Sequence, residues 1–231
     1  MGLSFAAPGL IDAAVQGTTV PRLLSAAGYP LGFLIVIIGR QQLFTEDTLT
    51  PIVPLLSHFD RSTFVKVLRL WAIVLLTNLI GAAAFGWFCG HAHLFDEPVR
   101  ASLSHLGQLA VQGPFWQVLV RGIVAGWMIA LLTWVLGAMK SGEIPAIFLI
   151  TYFIALGNFP HVVVGTVEMT YVASLGQIPW AHGLLGFLLP TLLGNILGGV
   201  GLVALLNHAQ VVSGSERGAS KSGEAARRQA A

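Results

Sequence analysis

Two apolar runs, Ile144 to Leu156 and Val162 to Leu175, meet in the stretch GNFPHVVVGTVE, Gly157 to Glu168, which places one histidine between a proline and a glycine. Neither run alone crosses a hydrocarbon core of ~30 Å, which takes ~20 helical residues, but joined they do. Pro160 has no N–H to donate and its ring clashes with the preceding turn, while Gly157 and Gly165 lower the cost of leaving helical geometry. The pattern predicts two half-helices meeting at His161, non-helical from Gly157 to Gly165. Irregular backbone at membrane depth persists only where it is buried in protein or lines a wet cavity, so the break points to a pathway. The competing reading is plainer: His161 is an interhelical hydrogen bonder beside a proline kink.

The rest of the chain is consistent with a membrane setting. It is 55% hydrophobic and 10% charged, against roughly 25% charged for a soluble domain. Its one cysteine, Cys89, excludes an intramolecular disulfide and a cysteine metal cluster. The histidines are scattered, with only His91 and His93 close together in a loop, so no metal site and no cofactor is expected. A formal charge of +2 is too small to suggest nucleic acid.

Read in order, Gly2 to Val15 is apolar but too short to span, and looks like the later part of an incomplete first helix. Ser25 to Leu43 is the second apolar segment. It is broken by LFTEDTLTPIVPLL, where Thr45 to Thr50 is too polar for lipid and Pro51 and Pro54 restart a short helix. His58 to Arg69 reads as a basic loop and Leu70 to Phe88 as a third span with a Gly/Ala face. Cys89 to Gly113 is a polar connection long enough for a surface helix. Phe115 to Ala138 is the fourth span, carrying Arg121; the broken segment is the fifth; Trp180 to Leu206, with GNILGG at Gly194 to Gly199, is the sixth. Residues 1–212 are expected to form a transmembrane channel domain and 213–231 a disordered basic tail.

Breaks in the second and fifth of six segments fall at corresponding places in two three-helix halves. The fold expected is all-α: a six-helix inverted-repeat bundle with broken second and fifth helices, the usual setting for a midplane binding site or pore. Basic residues place both termini in the cytoplasm, with Arg61, Lys66, Arg69, Lys140 and the tail inside and Arg22 and Arg100 outside.

Several side chains at the breaks can do chemistry. An imidazole switches charge near neutrality with small changes of environment, and His161 sits in the fifth break. Thr45, in the opposing break, offers a hydroxyl that can donate or accept toward it. Glu46 and Asp47 either reach a wet vestibule or meet Arg40 or Arg121. Phe44 and Phe159 could form an apolar constriction or simply be core. Glu168, two turns beyond His161 on the same face, reads as an interhelical or subunit contact rather than as a member of a proton relay.

The runs LFTEDTL, RGIVAGWMIALLTW from Arg121, NFPHVVVG and LLGNILGG, in that order and over nearly the whole chain, resemble the formate/nitrite transporter family. The resemblance implies an aquaporin-like protomer and a homopentamer with one pore per protomer. It matches Phe44 and Thr45 to the family's Leu-Phe-Thr loop, His161 to its central histidine, which Thr45 would touch, and Arg121 to a vestibule lysine that draws in anions. The chain departs from the pattern at Pro160 and Gly165, where the family reads Glu and Asn, and at Gly126, where it has Asn. Glu46 and Asp47 stand where neutral residues are usual, so two amides are lost and two acids gained.

The reading that follows is a multi-pass inner or plasma membrane channel for small weak-acid anions or their neutral acids, not an enzyme. Arg121 would concentrate anions, Phe44 and Phe159 would exclude hydrated ions, and His161 would lend a proton so that the substrate crosses uncharged. The alternative is an aquaporin-like pore for small neutral or cationic solutes, motivated by Glu46 and Asp47. The expected partners are a small-molecule substrate, the lipid bilayer and four further copies of the chain.

Overall fold

A computed structural model of the chain describes residues 1–15, 21–48, 51–52 and 60–201. The helices in order are α1 (Leu3–Val15), α2 (Pro21–Ala26), α3 (Pro30–Ile38), α4 (Arg61–His91), α5 (Glu97–Ala110), α6 (Phe115–Ala138), α7 (Glu143–Leu156) and α8 (Val162–Ser174). The last, α9 (His182–Gly201), opens as a π-helix over His182–Leu188. No strand occurs among the described residues.

Four stretches are long and apolar enough to cross a bilayer: Pro21–Ile38, which holds α2 and α3, then α4, α6 and α9. The half-helices α7 and α8, of 14 and 13 residues, cross only together. Local chemistry sets their ends. Pro30 opens α3 where its missing N–H costs nothing. Gly142, at φ 90° in the left-handed region that favours glycine, turns the chain into α7.

The sequence reading is corrected at the start of α4. Residues Arg61 to Arg69, expected as a loop, are the first turns of α4, because Asp60 caps the helix by accepting from the Thr63 N–H at 3.1 Å. At 31 residues α4 is about 46 Å long, so its basic first turns extend past the hydrocarbon. The connection after α4 contains the expected helix, and α5 leaves Glu97, Ala101, His105 and Gln108 exposed on one face. It wedges between α1 and α8, with Leu103 fully buried and Gly107 giving room to Val172.

The centre of the bundle is α8, eleven of whose thirteen residues are buried, so every neighbour packs on it. Its contact with α4 runs through Gly86, where a methyl group would overlap the Val167 carbonyl and the Thr170 side chain. The crossing of α6 and α9 is closer still. Gly122 and Gly126 face Gly194 and Gly198, each pair separated by three residues, and a methyl on Gly126 would overlap the Asn195 backbone. The small-residue face of the last span is therefore used inside the chain. Outward, Leu76, Ile80, Trp116, Leu149 and Leu185 present an apolar belt.

Both interruptions are present. After α3 the chain is irregular or turning from Gly39 to Thr48; the remainder of the expected break, with Leu49, Thr50 and Pro54, lies outside the described residues, as does the tail at 213–231. The second break is shorter than expected, Gly157 to His161, since Gly165 already donates to the His161 carbonyl at 2.7 Å as part of α8.

The two breaks are held in the same way. On α4, Asn78 accepts from the Phe44 N–H at 3.0 Å and donates to the Gln42 carbonyl at 3.2 Å. On α9, Asn195 accepts from the Val162 N–H at 2.8 Å and donates to the Pro160 carbonyl at 3.0 Å. In each half the third span thus clasps a carbonyl and the amide two residues later in the broken second span. Backbone that a helix would have paired is satisfied without water, as a low-dielectric setting requires.

Candidate functional site

The breaks bring together residues 116 positions apart. Thr45 Oγ1 lies 2.7 Å from His161 Nε2, with both side chains buried. His161 is also the N-cap of α8: its Nδ1 accepts from the Val164 N–H at 3.4 Å. An accepting Nδ1 carries no hydrogen, so the network assigns the ring proton to Nε2, which donates it to Thr45. Thr45 is fixed in turn, its carbonyl accepting from the Thr48 hydroxyl at 2.7 Å. Phe33 meets the imidazole edge-on, ring centroids 5.0 Å apart. Neither nitrogen of His161 is free, and a second proton on the ring would displace the Val164 cap.

His161 borders a cavity of about 270 Å³ enclosed by α1, α2, α5, the fifth break and α8. Phe159 lines it while Phe44 does not; Phe44 packs edge-on to Trp71 at 6.0 Å. The cation on the cavity wall is Arg22, whose guanidinium donates to the Leu156 carbonyl at the end of α7. Arg121 is half-buried on α6 and is not among the lining residues. Glu168, read from the sequence as a helix contact, also faces the cavity.

Glu46 and Asp47 are half-buried and lie away from this cavity. With its amide turned to donate, Gln42 sits 2.8 Å from Asp47 Oδ2. Neither acid makes an ion pair with Arg40 or Arg121; among the described residues the salt bridge is Arg100 to Glu97, at 3.6 Å on α5.

Sequence reasoning missed three contributors. Asn78 and Asn195 pass as ordinary polar residues in apolar helices, yet a lone amide there always asks what it binds. Arg22 was placed only as a loop charge. The two lost amides have steric explanations. Gly126 lies against the Asn195 backbone, and the Phe187 ring occupies the space a side chain at Gly165 would need. Among the described residues no group of three metal-ligating side chains converges.

Paired breaks in the second and fifth spans, each braced from its own half and meeting at a buried polar contact beside a cavity, define a multi-pass membrane protein of the aquaporin-like channel architecture. The family model for the formate/nitrite transporter matches residues 1–209, and the chain belongs to that family. It is 37% identical over 211 residues to the inner membrane protein YfdC of Escherichia coli, covering 91% of this chain and 68% of that one. It is 31% identical to the uncharacterized transporter YrhG of Bacillus subtilis, covering 89% and 80%. A solved pentameric formate channel with formate bound superimposes with a TM-score of 0.77 at 17% identity, over 91% of this chain and 93% of that one.

Proposed function

We propose that this protein is a channel-like permease for small monovalent weak acids, taken up as the anion or the neutral acid. The observation that carries the reading is the buried Thr45–His161 contact beside the cavity. A bare anion pays several kcal/mol or more to enter so dry a point, whereas the neutral acid needs only hydrogen-bond partners. Thr45 and His161 are such partners: a substrate oxygen that displaces the threonine hydroxyl meets the Nε2–H in its place. Arg22 raises the anion concentration in the cavity, and Arg121 adds to the same field from α6. Phe159, Phe33 and Phe44 keep the contact dry. The family, and the Bacillus thuringiensis relative that is a formate channel, 24% identical over 192 residues, favour a one-carbon or similarly small acid.

The assembly in this reading is a homopentamer in the inner or plasma membrane. The solved pentameric relative supports it, and the exposed apolar side chains of the outer face suit contact with lipid or neighbouring subunits. In the six-span topology expected from the sequence, Arg61, Lys66 and Arg69 at the start of α4 and Lys140 before α7 share one side, which the positive-inside rule makes cytoplasmic together with the termini.

Uptake of labelled formate, nitrite and acetate, with glycerol and methylammonium as neutral and cationic probes, into vesicles holding the purified chain tests the function. Uptake of a weak acid is expected. Passage of glycerol or methylammonium alone would favour the pore for neutral or cationic solutes that Glu46 and Asp47 suggest. Native mass spectrometry tests the pentamer.

A further inference from the structure

Glu168 stands out within α8. Of the thirteen residues of that helix only Glu168 and the terminal Ser174 are not buried, and Glu168 escapes burial because it faces the cavity beside His161. It lies two turns along the same face from His161, about 10 Å along the helix axis. A carboxyl in the middle of an otherwise apolar membrane helix is costly and marks function unless it is paired. Among the described residues no cation lies within ion-pair distance of it: Arg22, on the same cavity, donates instead to Leu156. The structural explanation, an interhelical salt bridge, is absent among the described residues.

His161 cannot easily supply the proton that a weak-acid anion needs, since both ring nitrogens are engaged. We infer that Glu168 is the proton-exchange group of this cavity, protonating an incoming weak-acid anion before it reaches the Thr45–His161 contact. The step balances simply. The Glu168 carboxylic acid gives its proton to the substrate anion, leaving a carboxylate and a neutral acid; the acid passes on, and hydronium from the solution facing the cavity restores the carboxyl. One proton moves with each anion. The groups around Glu168 are Asp12 on α1, Arg22 on α2, Tyr29 before α3, His105 on α5 and His161, all lining the cavity. Cys89 and His91 on α4, Glu97 and Arg100 on α5, and His182 on α9 do not line it.

The inference rests on the weak-acid reading, and the experiment separates the two. Formate uptake and internal acidification, followed with a trapped pH dye, are measured in vesicles across external pH 4 to 8, from about the ordinary glutamate value upward. The wild-type chain is expected to take up formate faster as pH falls, with acidification in step. Glu168→Gln, which keeps shape but holds no exchangeable acid proton, is expected to lose about tenfold or more of the uptake at low pH and to flatten the pH profile, a typical size for removing a positioned acid. Glu168→Asp should restore a sloping profile with a displaced midpoint, which a purely structural role would not produce. Glu97→Gln, on the surface of α5, serves as the control. A Glu168→Gln protein with wild-type rate and profile overturns the inference alone. Wild-type vesicles that take up neither formate, nitrite nor acetate overturn the weak-acid reading and the inference with it.

Discussion

The Thr45 hydroxyl and the His161 ring meet at 2.7 Å across two interruptions that belong to opposite halves of the chain. Each partner is held from behind, Thr45 by Thr48 and His161 by its cap on α8. The contact is therefore preorganised, and its removal should be felt in flux before it is felt in folding.

Thr45→Val removes the acceptor while keeping the volume. Flux of the transported acid is expected to fall about tenfold or more, and Thr45→Ser to recover most of it, as removing a positioned hydrogen-bonding group typically does. His161→Phe should lose as much flux and also some stability, because the cap on α8 goes with it, at about 1 kcal/mol. Vesicle uptake together with size-exclusion profiles checks both; unchanged uptake in assembled His161→Phe would leave the histidine as packing.

Asn195 is fully buried and also donates to the Gly122 carbonyl at 2.9 Å. Asn195→Ala strands the Val162 amide and the Pro160 carbonyl, at about 1–3 kcal/mol for each group that no water reaches, while the Gly122 carbonyl keeps its helical partner in α6. Its melting midpoint in detergent should drop by roughly 5 °C or more. Asn78→Ala, at a half-buried position, should cost less.

Gly126→Asn, which restores the family's residue, is expected to destabilise by about 1–3 kcal/mol by forcing α6 away from α9. Gly81→Ala and Gly137→Ala, which face open space, should be neutral or slightly stabilising. Thermal unfolding of the three variants in one detergent makes the comparison.

Asp60 lies outside the spanning core, and the backbone amides of Thr63 and Ser62 hold its carboxyl below the usual range. A depressed carboxyl stabilises the fold above its unfolded value near 4 and loses that contribution as pH falls through the folded value. The wild-type melting midpoint should therefore decline below about pH 4 with a component that Asp60→Asn lacks. Melting curves across pH 2 to 7 would reveal it.

The sequence was most legible where a residue type is expensive in a membrane. Pro160, the polar run after Phe44 and the buried histidine each violate an apolar pattern, and each marks a break or the contact between breaks. The apolar run alone located α6 to the residue. Legibility failed where a local device overrides composition. Asp60 turns a basic loop into helix, and His161 restarts α8 four residues earlier than Gly165 suggested. It failed again where the answer depends on which neighbour arrives: Arg22 and Glu168 acquire a shared cavity only through the packing of α1, α2 and α5 around α8.

The clasps of Asn78 and Asn195 have a bearing on how the barrier opens. Each clasp is drawn from its own half, so parting Thr45 from His161 leaves the clasped carbonyls and amides of both breaks paired. Separating the two jaws then breaks one polar contact, net about 1 kcal/mol, and exposes none of the clasped backbone to hydrocarbon. On the weak-acid reading proposed above, a permeant acid that takes the place of this one contact would pass without the two halves having to rock between inward-open and outward-open shapes.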